Sequence, residues 1–253
     1  MHCLRSGGQL LRGGNWASVR VSVIIPTHNE AQAIQHVLAD IPSGLTTEVI
    51  VVDSNSSDGT PEIAARAGAR VIQEPRRGYG RACLTGLANA NAPDVVVFLD
   101  GDYSDRPSEL PTLLAPIVED RADITIGSRL GKQRIPAAQP WHATLGNRFA
   151  AALIRILYGL KITDLGPFRA ARADELRALA LEETTYGWAV EMILKGALAG
   201  FRVVEVPVSY YPRIGKSKIS GTLKGTVGAA WFILSLIVRY YLRHQRTGTR
   251  RPA

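Results

Sequence analysis

Cysteine is nearly missing from this 253-residue chain: Cys3 and Cys83 stand alone, too far apart in sequence for a disulfide framework or a zinc-ligand spacing. That usage fits a reducing, cytosolic setting. Glycine is absent where a dinucleotide enzyme would need it. The turn after the first apolar run reads IPTHNEA, in the place that a nicotinamide-binding fold fills with G-x-G-x-x-G. Long apolar runs are lacking too: the longest uncharged stretch, Gly225 to Val238, falls short of the ~20 residues that span a bilayer. The first residues have no continuous apolar core, so residues 1–19 read as a disordered extension or a misassigned start, without a secretion signal. Acid is lacking at both ends. Residues 1–20 carry three Arg and residues 211–253 nine Lys or Arg, with no Asp or Glu in either segment. The body between them holds 18 basic and 22 acidic residues, a net of −4. Basic ends on a mildly acidic body suit an anionic surface or a phosphate-bearing partner. The interleaved aromatics of a nucleic-acid motif are missing, which sets nucleic acid aside as a partner.

What is present alternates strand with helix. Apolar runs at Val21–Ile25, Glu48–Val52, Arg70–Gln73, Val95–Leu99 and Asp123–Gly127 read as strands, separated by helical spacing around 33–38, 60–67, 80–90 and 108–119. βαβ spacing of this kind predicts a doubly wound, mostly parallel α/β sheet. After Ser128 the pattern loosens: Thr144–Tyr158 and Gly187–Leu198 read as helices, Phe168–Ala171 and Arg202–Ser209 as strands, and a last amphipathic helix runs from Gly221 to about His244. No linker separates these parts. The reading is one domain over 20–220, with a nucleotide-binding half at 20–130, an acceptor half at 131–220, and a C-terminal helix and basic tail at 221–253.

The stretch VVVFLDGDYSD concentrates the chemistry. A buried strand runs without a polar break to Leu99, and Asp100, Asp102 and Asp105 then crowd like charges at its end. Crowded carboxylates need a cation or hydrogen-bond donors, and open α/β sheets place ligands at the carboxyl ends of their strands. Asp105 reads as a helix cap; Asp100 and Asp102 read as ligands for Mg²⁺ or Mn²⁺, hard ions that favour carboxylate and phosphate oxygens. Pro26, Thr27, Asn29 and Glu30 follow the first strand, and Asp53 ends the second, where small polar groups and a carboxylate can hold a nucleobase and ribose. Asn29 and Thr27 can equally cap the next helix, and Asp58 reads as the cap of the helix after SNSSDGT. The RRGYGRAC segment, with Gly78 and Gly80, reads as a flexible loop entering a helix.

Taken together, VSVIIPTHNEA, EVIVVDSNSSDGT, VVFLDGDYSD and ITIGSR resemble the family 2 glycosyltransferases of GT-A fold. TDLGPFRAARADEL, YGWAVEMILKGALAG and VVEVPVSYYPRIGKSKISGT resemble the polyprenyl-phosphate branch, typified by dolichyl-phosphate mannose synthase. The resemblance covers about residues 20–243. It implies that Pro26, Thr27, Glu30 and Asp53 hold the nucleoside of a UDP- or GDP-linked sugar. Asp100, Gly101 and Asp102 match the D-x-D turn whose metal grips the diphosphate, and Arg129 a basic residue facing the phosphates. The branch more often reads D-A-D-L-Q where this chain has DGDYSD, so the donor sugar is not inherited.

The basic groups of the second half, Arg148, Arg169, Arg213, Lys216 and Lys218, are expected with Arg129 at the acceptor phosphate. Glu191 reads either as a general base or as a structural carboxylate paired with a cation. The expected reaction is metal-dependent, inverting transfer of a sugar to a polyprenyl phosphate by a cytoplasmic enzyme, peripheral on the inner face of the membrane. The same fold acting on a soluble or cell-envelope hydroxyl is the alternative, and a sugar-phosphate nucleotidyltransferase a more distant one. For the C-terminal helix, Trp231, Phe232, Leu234, Leu236, Ile237, Tyr240 and Tyr241, flanked by Lys224, Arg239, Arg243 and Arg246, suit an anionic membrane surface or the protein's own core.

Overall fold

Neighbouring side chains of a strand face opposite sides of the sheet, so a strand with no polar break needs apolar cover on both faces. Val95–Phe98 is such a strand, buried at every position. The computed structural model describes residues 16–130, 141–215 and 223–247. Within them lie strands β1 (Val21–Thr27), β2 (Glu48–Asp53), β3 (Arg70–Gln73), β4 (Val95–Phe98), β5 (Ile124–Ser128), β6 (Arg169–Arg172) and β7 (Val203–Pro207). The helices are α1 (Ile34–Ala39), α2 (Thr60–Arg66), α3 (Tyr79–Asn89), α4 (Leu110–Val118), α5 (Trp141–Tyr158), α6 (Ala173–Ala178), α7 (Trp188–Leu198) and α8 (Leu223–Thr247).

The strands form one sheet in the order β3-β2-β1-β4-β6-β5-β7. β1 pairs in parallel with both β2 and β4. β6 is the exception, antiparallel to β4 and to β5. Alternation along the strands divides the core. Ile24, Val96 and Phe98 face α3, α5, α7 and α8; Val23, Ile25, Val95 and Val97 face α1, α2 and α4. The result is the doubly wound, mostly parallel α/β sheet that the βαβ spacing predicts, in one domain. Trp188, fully buried, sits edge-on to Phe98 with ring centroids 4.5 Å apart and ties α7 to the sheet.

Three local expectations change. Trp16–Ser18, inside the segment read as an extension, form a 3-10 turn with Trp16 against the core; residues 1–15 lie outside the described residues. α6 was not anticipated, because it follows β6 with no turn residue between them. Its acidic first turn, Asp174 and Glu175, complements the helix dipole. The RRGYGRAC segment does enter a helix, α3 from Tyr79, but its glycines are packed against the chain where a free loop is expected. Gly80 donates its amide to Thr185 O at 3.1 Å and Arg81 to Thr184 O at 3.0 Å, so the start of α3 is docked backbone to backbone. A Cβ on Gly80 would stand 2.3 Å from Glu183 O, which is why glycine is required there.

The broad apolar surface of α8 divides between two environments. Leu236 and Ile237 are fully buried, and Tyr158 of α5 donates its hydroxyl to Ile237 O at 2.6 Å. Trp231, by contrast, is 76% exposed. The start read at Gly221, with Lys216 and Lys218, lies outside the described residues.

Gly80→Ala is expected to lower stability by about 1–3 kcal/mol, the cost of forcing atoms into a packed site. Gly146→Ala on α5, where a Cβ meets nothing within 4 Å, should be neutral or stabilising by about 0.5–1 kcal/mol. Urea unfolding of the two variants beside the parent chain checks the contrast.

Candidate active site

Parallel strands finish at one edge, and here they finish in register. Thr27 pairs with Asp53 across β1 and β2, and Asp100 stands two residues past the end of β4. The chain winds from β1 outward to β3, then returns to lay β4 on the other side of β1. That reversal opens a crevice at the carboxyl ends of β1 and β4, the place where folds of this kind bind ligands.

The turn after β1 is stitched to the turn after β2. Asp53 is almost fully buried; it accepts the Ser56 amide at 2.9 Å and hydrogen bonds from the Ser56 and Thr27 hydroxyls. Asn29, in left-handed backbone at φ 54°, donates its amide to Ser56 Oγ at 2.8 Å and accepts the Ser57 amide at 2.8 Å. Asp58 takes the Thr60 amide at 3.1 Å from one residue ahead of Gly59, the N-cap of α2, so the side-chain cap expected of it does not form. Pro26, Thr27, Asn29, Glu30 and Asp53 thus form a single braced wall.

The DGDYSD turn forms the facing wall. Gly101 packs against β1 so closely that a Cβ would meet Thr27 Cγ2 at 2.9 Å. Asp100 Oδ1 is buried with no hydrogen-bond partner. Burial, and then the charge of Asp102, push the Asp100 pKa up to about 7. Asp102 is braced by Ser104, whose amide and hydroxyl donate to Oδ1 at 2.9 and 2.6 Å. On its other oxygen sits Arg213, Nη1 to Oδ2 at 3.3 Å, while Nη2 reaches Glu30 Oε1 at 3.1 Å. Three residues given three separate roles by the sequence therefore make one ion triad. Asp105 corrects its expectation: it caps nothing. Both its oxygens are buried without partners, and burial, then the charge of Asp100, push its pKa well above the carboxylate range. An orphaned carboxylate oxygen, a like-charged neighbour and a guanidinium already in place suit a divalent cation. Among the described residues no group of three or more His, Cys, Asp or Glu forms a metal cage, so the protein would offer the Asp100–Asp102 pair.

The remaining cations scatter. Arg129, just past β5, is locked to Asp164 by its amide at 2.8 Å, Nε at 2.8 Å and Nη2 at 2.7 Å. Glu205 in turn accepts the Asp164 amide at 2.8 Å and the Thr163 hydroxyl at 2.9 Å. Asp164, fully buried, is a residue the sequence reading missed; its signal was the pairing of GSR with TDLG. Arg169 does not join the phosphate-facing group. Opposite Phe98 on antiparallel β6 it is 0% exposed, and it donates to the carbonyls of Gly166 and Ala189. Arg148 points to solvent from α5.

Glu191 is fully buried on α7, accepting the Glu182 and Glu183 amides, the Tyr240 hydroxyl at 2.7 Å and Lys195 at 2.8 Å. It ties α7 to α8. Burial opposes its charge, but Lys195, the amides and Tyr240 outweigh it and hold the pKa below the usual carboxylate value. A lowered pKa gives stability that is present above the ordinary value of 4.5 and lost as pH falls through the folded one. Glu191→Gln should therefore cost about 1–3 kcal/mol at neutral pH, less at pH 3, with turnover per folded molecule unchanged. Urea melts at both pH values check the first part. A catalytic base would instead lose turnover without losing stability.

Comparison with known proteins agrees with this geometry. Residues 22–179 match the model of the glycosyl transferase family 2. An uncharacterized glycosyltransferase of Mycobacterium tuberculosis is 39% identical over 222 residues, spanning 85% of this chain and 98% of that protein. An undecaprenyl-phosphate mannosyltransferase of Micrococcus luteus is 34% identical over 228 residues, 82% of this chain and 90% of the relative. In fold the chain matches glucosyl-3-phosphoglycerate synthase from M. tuberculosis, solved with Mn²⁺, UDP-glucose and phosphoglyceric acid. That match has a TM-score of 0.73 at 22% identity and covers 95% of this chain and 85% of that one. With a GT-A sheet, a D-x-D turn at its crevice and a family match over most of its core, the chain belongs to glycosyl transferase family 2, in its polyprenyl-phosphate mannose synthase-like branch.

Proposed function

We propose that this glycosyltransferase moves a sugar from a nucleotide sugar to a polyprenyl phosphate at the inner face of a membrane. The observation that carries the reading is the acidic pair at the end of β4, Asp102 paired with the Arg213 guanidinium and Asp100 with a buried oxygen unpartnered, beside the braced Asp53 wall. The Pro26–Glu30 turn and Asp53 hold the nucleoside, and Asp100 and Asp102 hold Mg²⁺ or Mn²⁺. Such an ion supplies counter-charge to the diphosphate as it leaves. Arg129, oriented by Asp164, presents positive charge to the phosphates, and Arg213, Lys216 and Lys218 belong to the acceptor side. A phosphate oxygen of the acceptor attacks the anomeric carbon as the bond to the diphosphate breaks, inverting that carbon and releasing the nucleoside diphosphate. The oxyanion is already nucleophilic, so no general base is needed, in keeping with the structural setting of Glu191.

A lipid acceptor is supported by the activity named for the M. luteus relative and by one surface. The exposed large hydrophobics among the described residues are Leu145, Phe149 and Ile156 of α5 and Trp231, Val238 and Leu242 of α8. On each helix they recur at helical spacing along one face, with Arg148, Arg155, Arg239 and Arg243 exposed beside them. No described helix is long and apolar enough to cross a membrane. Apolar faces with a basic rim match an anionic bilayer surface, with the rings at headgroup depth.

Asp100→Ala or Asp102→Ala should cut transfer by about 10²–10³-fold, the scale seen when charge stabilisation of a leaving group is lost. Nucleoside diphosphate release is followed over a panel of UDP- and GDP-sugars, with and without a short polyprenyl phosphate. Full activity in excess EDTA sinks the metal assignment, and release driven by a soluble hydroxyl acceptor alone sinks the lipid one.

The combined Phe149→Ser, Trp231→Ser change should leave the melting temperature unaltered and strongly reduce flotation with anionic vesicles. The parent chain should float at low salt and less as salt rises. A parent chain that stays in the soluble fraction at low salt refutes membrane docking.

A further inference from the structure

The segment after β7 runs back along the DGDYSD turn. Tyr210 bridges Asp105, the Tyr211 amide donates to Ser104 O at 2.9 Å, and the Ile214 amide donates to Asp102 O at 2.9 Å. These backbone contacts deliver the Arg213 side chain to the acidic pair. Ser104 already occupies Asp102 Oδ1, so Oδ2 is the oxygen left for a metal, and Arg213 Nη1 stands on it at 3.3 Å. The Arg213 Nε–H is buried without an acceptor while the side chain as a whole is 28% exposed. The guanidinium therefore keeps a donor in reserve.

We propose that Arg213 is a stand-in for the divalent cation: it neutralises Asp102 in the empty enzyme, and loading of metal and nucleotide expels it. Its release frees the guanidinium to meet the acceptor phosphate, while the backbone bonds of Tyr211 and Ile214 still hold the segment beside the turn. The inference rests on the metal-dependent reading above. A guanidinium and a divalent ion compete for one carboxylate oxygen, because like charges a few ångströms apart repel in a partly buried site. The doubly charged hard ion, completed by diphosphate oxygens, makes the stronger claim on that oxygen. The displaced guanidinium, a planar fork of donors suited to phosphate, then has Nη1 and Nε to offer while Nη2 stays on Glu30. Binding is consequently ordered, with metal and nucleotide first and acceptor second.

The test is a Mn²⁺ titration of the full chain read by electron paramagnetic resonance, with saturating UDP and, separately, GDP. If Arg213 competes with the metal, Arg213→Gln binds Mn²⁺ at least threefold more tightly than the parent, and Arg213→Lys falls between them. If Arg213 instead clamps the diphosphate beside the metal, Arg213→Gln binds Mn²⁺ more weakly. A gain of less than threefold, or a weakening, overturns the proposal. Asp102→Asn separates the two ideas. A parent chain that binds no Mn²⁺ with either nucleotide overturns the metal reading together with this one. Binding that needs Asp102 but ignores Arg213 overturns this one alone.

Discussion

Like charges gathered at one end of a sheet are the constraint on which this structure turns. A parallel sheet brings its strand ends to a single edge, and here that edge carries Asp53, Asp100 and Asp102, with Asp105 just behind. Such an edge is unfavourable unless donors and cations surround it. The fold answers each acid differently. Asp53 is satisfied locally by Ser56 and Thr27, and Asp102 by Ser104 and Arg213. Asp105 has no partner and is held toward its neutral form by burial first and then by Asp100. Asp100 is left with one buried oxygen unpaired. An arrangement of this kind carries uncompensated negative charge at the sheet edge.

The second half of the chain supplies the positive charge, and its elements are ordered around that task. β6 enters antiparallel between β4 and β5 and so brings the TDLGP turn beside Arg129. Asp164 and Glu205 then fix Arg129 through a relay from the 163–164 turn to β7. The segment after β7 pairs with the D-x-D turn and carries Arg213 with it. Behind these, α7 and α8 are joined by Glu191 through Lys195 and Tyr240, which leaves the outer faces of α5 and α8 to solvent. The candidate site and the apolar face are thus two products of the same packing.

Much of this was legible in the residue order. Strands with unbroken β-branched runs, the helical spacing between them, and the acid-bearing strand ends all declare themselves by local chemistry. The placement of the candidate residues of the first half was legible for the same reason: each sits at or just beyond the end of a recognisable strand. The cations of the second half gave no such signal. Arg169 and Arg213 look alike in sequence, two arginines in polar, motif-like segments. One became a core residue donating to backbone carbonyls and the other the partner of Asp102.

The sequence by itself determined the alternation of elements, the family and the row of carboxylates, because these depend on periodicity and on chain neighbours. The tertiary structure alone decided which cation meets which acid. Glu30 and Arg213 are 183 positions apart, and Arg129 and Asp164 are 35 apart. Whether such groups meet depends on the antiparallel insertion of β6 and on the path of the chain after β7. Pairings of that kind are set by long-range strand order, which composition and spacing do not encode locally, and they convert a list of charged residues into an arranged site.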